Sequence, residues 1–194
     1  MAPSAHERPG FLGVARIVAV PGLGLALSSV GFGAITTFVT LVFAERRWSG
    51  AWAAFTALSV TFILARVLFG HLPDQMGGGR VALVCVLLEA AGQALIWRAG
   101  SPAVAFLGAG LTGFGYALVY PAFGVEAVRR APAESRGLAM GAYTAFLDIA
   151  LGVANPALGL VASGAGLGAV FLVSSLVVLS SGSVDLRLMN GDNE

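Results

Sequence analysis

Six runs of apolar residues, most close to the ~20 that an α-helix needs to cross bilayer hydrocarbon, leave this chain almost no choice of solvent. They occupy 18–43, 51–69, 81–97, 104–123, 138–160 and 167–184, with short polar connections between them. The sequence reads as an all-α, polytopic membrane protein: a tail over 1–17, one six-helix bundle over 18–184 and a second tail over 185–194. The first run is far longer than the ~7–15 residues of a signal-peptide core, so it is expected to stay as a membrane helix. The sixth is shorter of apolar length than the rest. Its core ends at Leu179 and meets Ser180-Ser181-Gly182-Ser183, a composition that spans poorly or needs cover from a neighbour.

Composition removes several kinds of chemistry. Apolar residues make up 57% of the chain and charged residues 11%, from which no water-soluble surface can be built. A net charge of +1 gives no general pull toward nucleic acid. All eleven bases are Arg, so neither a P-loop lysine nor a Schiff-base lysine is available. Cys85 is the single cysteine and lies in an apolar run, which excludes a disulfide framework or a cysteine metal site and leaves a small packing residue. No cofactor or metal is expected. The histidines are His6, in the tail, and His71, in a loop, so the serine–histidine pair of intramembrane proteolysis is not formed. Two facing acids for aspartyl chemistry are a poor match as well, and the chain is read as no enzyme.

Arginine placement orients the bundle. Arg8, Arg16, Arg80, Arg129, Arg130, Arg136 and Arg187 gather on one side, against Arg46, Arg47 and Arg98 on the other, so both termini are expected in the cytoplasm. Trp48, Trp52 and Trp97 fall at helix ends, at headgroup level. The connection over 124–137 has no room for a folded domain, so any activity must reside among the helices.

Glycine, with 27 residues, lies largely inside the helices. Gly22, Gly24, Gly31 and Gly33 in the first, and Gly108, Gly110, Gly113 and Gly115 in the fourth, let backbones approach closely. Three ionisable residues fall within hydrocarbon. Arg66 and Glu89 sit at depths only about 6 Å apart, from a rise of ~1.5 Å per residue, and are read as a structural pair. Asp148, near the middle of the fifth helix, has no Arg at its depth. It is either a protonated acid bonded to a neighbouring helix or a functional group of a pathway. Tyr116 and Tyr120 are four apart on one face of the fourth helix, beside the potential kink at Pro121. A cavity hydroxyl is one reading of such tyrosines, and packing or interface anchoring is another. Tyr120, near the helix end, fits the anchor.

The longest polar break in the middle of the chain is Gly70-His71-Leu72-Pro73-Asp74-Gln75-Met76-Gly77-Gly78-Gly79-Arg80. It resembles the loop signature of the major facilitator superfamily of transporters. The stretch from Glu126-Ala127-Val128-Arg129-Arg130 through Arg136-Gly137 to Gly141 is similar to the superfamily's segment between its tenth and eleventh helices. Gly152, Asn155-Pro156 and Gly159 resemble a degenerate glycine–proline signature of antiporters. Over residues 10–184 the text resembles bacterial carriers of the arabinose-efflux-like branch, with Gln75 in place of the usual base and Asn155 where glycine precedes proline.

The resemblance implies the second, C-terminal half of a twelve-helix carrier, with residues 1–10 as the remains of a central linker. The missing bundle would come from a lost N-terminal half, a partner chain or a second copy. The implied activity is secondary transport of a small solute across the bacterial inner membrane, in the form of proton-coupled efflux, by rocking one bundle against the other. The alternative is a truncated or regulatory half-bundle that does not transport. Helices 1, 2, 4 and 5 would line the pathway, with helices 3 and 6 as supports. Asp148, Tyr116 and Asn155 would then belong to the substrate or proton pathway. Gly70, Asp74, Gly77 and Arg80 would form a cytoplasmic gating loop, and Arg66, Glu89, Glu126 and Arg136 would act as structural or gating charges.

Overall fold

The computed structural model describes residues 10–190, with side chains except at 187, 189 and 190. The readings made on His6, Arg8 and the linker-like residues before Gly10 lie outside the described residues, as do 191–194 of the second tail. In chain order the helices are α1 (Phe11–Ile17), α2 (Ala19–Glu45), α3 (Ala51–Phe69), α4 (Leu72–Met76), α5 (Gly78–Arg98), α6 (Pro102–Arg130), α7 (Arg136–Ala165) and α8 (Leu167–Asn190). One 3-10 turn at Ala133–Ser135 precedes α7. Among the described residues there is no strand, and six helices are long and apolar enough to cross a membrane.

Each departure from the expected boundaries has a local cause. Residues 11–17 are helical because the backbone ladder runs on through Val18, whose N–H bonds Val14 while its carbonyl accepts from Gly22. Val14 and Val18 are fully buried, which anchors α1. The fourth helix continues past Phe123 to Arg130, where Glu126 meets Arg129 and Arg130 one turn on and ties down the polar end. The sixth helix runs to Asn190. Its serines are accommodated by donating to carbonyls: Ser180 to Val177, Ser183 to Ser180, Ser175 to Ala90 on α5 and Ser181 to Gly24 on α2.

The turn at Gly77 has φ 89° and ψ 139°, a conformation open essentially to glycine, and it lets α4 reverse directly into α5. The glycines of α2 and α6 serve close packing as expected, whereas Gly141, Gly152, Gly159 and Gly164 on α7 meet nothing within 4 Å. Side-chain atoms of Phe146, Phe123, Glu89 and Asn155 occupy the space a β-carbon would need at Gly22, Gly24, Gly31 and Gly33 respectively. On α6, Gly108 meets the Gly92 carbonyl of α5, Gly113 meets the Leu58 carbonyl of α3, and Gly115 meets the Cys85 carbonyl of α5.

α6 lies at the centre, packed on α5, α3 and α2, while α8 closes the far side against α5 and α2, and α7 leans mainly on α2. Two apolar clusters mark the two ends. One joins Val14, Val81, Phe123, Ala139 and Leu188; the other joins Phe43, Ala54, Ile96, Ala105 and Phe171. The first therefore gathers the start of α1, α5 and α7 with the ends of α6 and α8, the end that also carries Arg16, Arg80, Arg129, Arg130 and Arg136. Coverage is uneven: 56–61% of the spans of α2, α5 and α6 is buried, against 17% for α3 and 11% for α7. Those two helices present long uncovered faces.

Candidate functional site

Polar side chains from three helices converge in the interior between α2, α5 and α6. Glu89 is completely buried, and one of its oxygens, Oε2, accepts a hydrogen bond from the Ser28 hydroxyl. One turn along α5, Gln93 donates to the Gly31 carbonyl at 2.9 Å and to Thr112 Oγ1 at 3.3 Å. Ser29 gives its proton to the Leu25 carbonyl (2.7 Å), so in its 3.1 Å bond with Tyr116 the tyrosine is the donor. Glu89 Oε1 and Gln93 Oε1 have no hydrogen-bond partner.

The expected pairing of Arg66 with Glu89 is not formed. Arg66 donates instead to the Ala117 carbonyl of α6 at 3.2 Å, and Glu89 is held by Ser28. Equal depth was the basis for that expectation, but depth leaves the direction around the helix open. α6 stands between the two side chains, with α3 on one flank and α5 on the other.

The other sequence-selected residues divide between a seam and an open cavity. Tyr116 is 8% exposed and stacked on Phe32 with ring centroids 4.8 Å apart. Tyr120 shares a 3.0 Å hydrogen bond with Thr144 of α7 and its carbonyl accepts from Tyr143 at 2.8 Å, which makes it a residue of the α6–α7 seam rather than a headgroup anchor. Asn155 of α7 is half-buried against Gly33 of α2. A cavity of about 490 Å³ opens at the arginine-rich end, and Arg66, Asp74, Tyr120 and Arg129 line it. Gly70 caps α3 through its N–H to the Arg66 carbonyl (3.1 Å); Arg80 and Arg136 are exposed. Glu126, its side chain 3% exposed, contacts Arg129 at 2.6 Å and Arg130 at 2.8 Å.

Asp148 is exposed on α7, and among the described residues its side chain has no hydrogen-bond or ion-pair partner. An acid in this position has no carrier of its charge within the bundle; it faces outward on the least covered helix. Sequence reasoning missed two features. Ser28, Gln93 and Thr112 complete the interior cluster, and the signal for them was a Glu–Gln pair spaced i, i+4 inside an apolar run. Asp185 was assigned to a tail, yet it is fully buried on α8 with both carboxyl oxygens unpartnered.

Comparison with known proteins agrees with this architecture. Residues 21–190 match the family described as Major Facilitator Superfamily. An uncharacterized MFS-type transporter of Pseudomonas aeruginosa (strain UCBPP-PA14) is 45% identical over 188 residues, which cover 96% of this chain and 47% of that protein. One from Burkholderia mallei (strain SAVP1) is 47% identical over 175 residues, 90% of this chain and 43% of that protein. The chain thus spans about half the length of the relatives it matches. Among solved structures, an auto-inhibited POT family peptide transporter superposes with a TM-score of 0.74 over 90% of this chain and 37% of that one; at 17% identity this is a likeness of fold.

Proposed function

Because the chain belongs to the major facilitator superfamily, we propose that it works as the second, C-terminal half of a secondary carrier, moving a small solute out of a bacterial cell by proton-coupled alternating access. The observation that carries this reading is the pairing of two poorly covered helices, α3 and α7, with an exposed carboxyl, Asp148, in the middle of the second. An acid on an apolar span is costly against lipid and supportable against a water-filled path or a facing bundle. The uncovered faces are accordingly the surface for a second six-helix bundle, either an N-terminal half or another copy of this chain.

In this reading the pathway residues are Asp148, Tyr116 and Asn155. Asp148 meets the path from the exposed face of α7, whereas Tyr116 and Asn155 act from the α2 seam behind it. Gly70, Asp74, Gly77 and Arg80 form the gating loop at the arginine-rich end, which is placed in the cytoplasm by its positive charge. Arg66, Glu89, Glu126 and Arg136 hold or gate the bundle. The branch is the arabinose-efflux-like one, and the membrane is the bacterial inner membrane. The alternative is a truncated or regulatory half-bundle without transport of its own.

The test is flux in vesicles carrying this chain together with a complementary bundle. Asp148→Asn, which mimics the protonated acid, should keep solute binding and abolish uphill, proton-driven transport. Uphill transport with unchanged pH dependence would remove Asp148 from coupling. If no complementary bundle yields flux, the regulatory reading replaces the carrier.

A further inference from the structure

The interior cluster around Glu89 has an imbalance of donors and acceptors. Ser28 serves one carboxyl oxygen, and both N–H groups of Gln93 are spent on Gly31 and Thr112. That leaves Glu89 Oε1 and Gln93 Oε1 as two buried acceptors without a donor. Both side chains lie against Gly31, whose missing β-carbon is what lets the carboxyl reach α2. Among the described residues no cation bonds or pairs with Glu89. α2 presents Ser28 and Gly31, α6 presents Thr112 and Tyr116, α5 itself presents Cys85, and Asp185 of α8 faces Cys85 from its far side. A carboxylate here would be buried, without a cation and with one oxygen lacking a donor, an arrangement that low-dielectric surroundings penalise heavily.

One added proton corrects both faults: it removes the charge and supplies a donor where there was none, with Gln93 Oε1, one turn along α5, as an unpartnered acceptor. We propose that Glu89 is a proton-binding site of this protein, loaded while α2 is packed on α5 and able to exchange its proton with water only when that seam opens. The step is a carboxylate plus a proton giving a carboxylic acid, with no other bond made or broken. This deepens the proton-coupled reading above and rests on it for the site's use, though not for its existence. It places a proton store in the seam behind the pathway, separate from Asp148.

The experiment is infrared spectroscopy of the full chain in lipid nanodiscs at neutral pH, unlabelled and with its glutamate carboxyls labelled with carbon-13. A carbonyl-stretch band of a neutral carboxylic acid should be present, should shift with the glutamate label, and should respond only slowly to transfer into heavy water. Glu89→Gln should lose it, while Asp148→Asn and Asp185→Asn should each retain it. Where Glu89→Gln does not fold, the label still narrows the band to a glutamate, and among the described residues Glu89 is the buried glutamate without an arginine partner. Absence of any neutral-acid band that moves with the glutamate label overturns the proposal. No flux is read in this experiment, so its failure leaves the transport reading to the vesicle assay, and failure of that assay leaves Glu89 protonation untouched.

Discussion

Glu126, Glu89 and Asp148 are three acids on membrane-length helices, and each meets a different environment. Glu126 is nearly buried but lies between two arginines, so its charge is compensated; Glu89 is buried without a cation; Asp148 is unburied and faces away from the bundle. The first of these is a stability residue. Its partners' side chains are 49% and 27% exposed, so solvent screens much of the attraction and the several kcal/mol of a fully buried broken pair must be discounted. Glu126→Gln should cost about 1–2 kcal/mol, read as a lower unfolding temperature in detergent. An unchanged melt would mean that the pair is idle. These acids were visible in the sequence, but their partners were not. Arg66 and Glu89 share a depth, and only the azimuth of each helix shows that the guanidinium turns to the Ala117 carbonyl.

The bundle is held at element scale by small residues, and the α5–α6 crossing shows it best. A β-carbon at Gly92 would lie 2.5 Å from the Gly108 carbonyl oxygen and 2.5 Å from Thr112 Oγ1, and one at Gly108 would lie 2.6 Å from the Gly92 carbonyl oxygen. Rigid backbone cannot give way there as a flexible side chain can. Gly92→Leu should therefore force the helices apart at a cost of at least about 1–3 kcal/mol, seen as loss of monodisperse protein in size-exclusion chromatography. Gly152→Ala on α7 meets nothing within 4 Å and should stay within about 0.5 kcal/mol of the parent. Equal behaviour of the two variants would refute the packing assignment. The glycine pattern was legible in advance because lipid gives helices little reason to associate other than close contact. The length of α8 was not, since its serines look like a break until their hydroxyls find Gly24 and Ala90.

Across the whole molecule, charge and coverage are both asymmetric. Exposed Gln75 lies at the arginine-rich end and exposed Ser49 at the other. With the native Cys85 buried, Ser49→Cys should react with an impermeant thiol reagent in intact cells and Gln75→Cys should not until the membrane is opened. The reverse pattern would invert the proposed orientation. The uncovered α3 and α7 are the faces on which the proposed second bundle acts, and they are two of the four helices that the family resemblance puts along the pathway.

Membrane residence, the number of spans and their approximate limits followed from sequence, because hydrocarbon thickness converts directly into a run of apolar residues that can be counted along one dimension. The family was legible for a related reason: its loop motifs are local strings. Tertiary structure alone decided which side chains meet. Rotation about each helix axis, set by where glycines permit contact, turned Arg66 from Glu89, seated Glu89 beside Ser28, buried Asp185 and left Asp148 facing outward. A depth along a helix is written in the sequence, whereas a direction around it is settled by the neighbours that helix packs against.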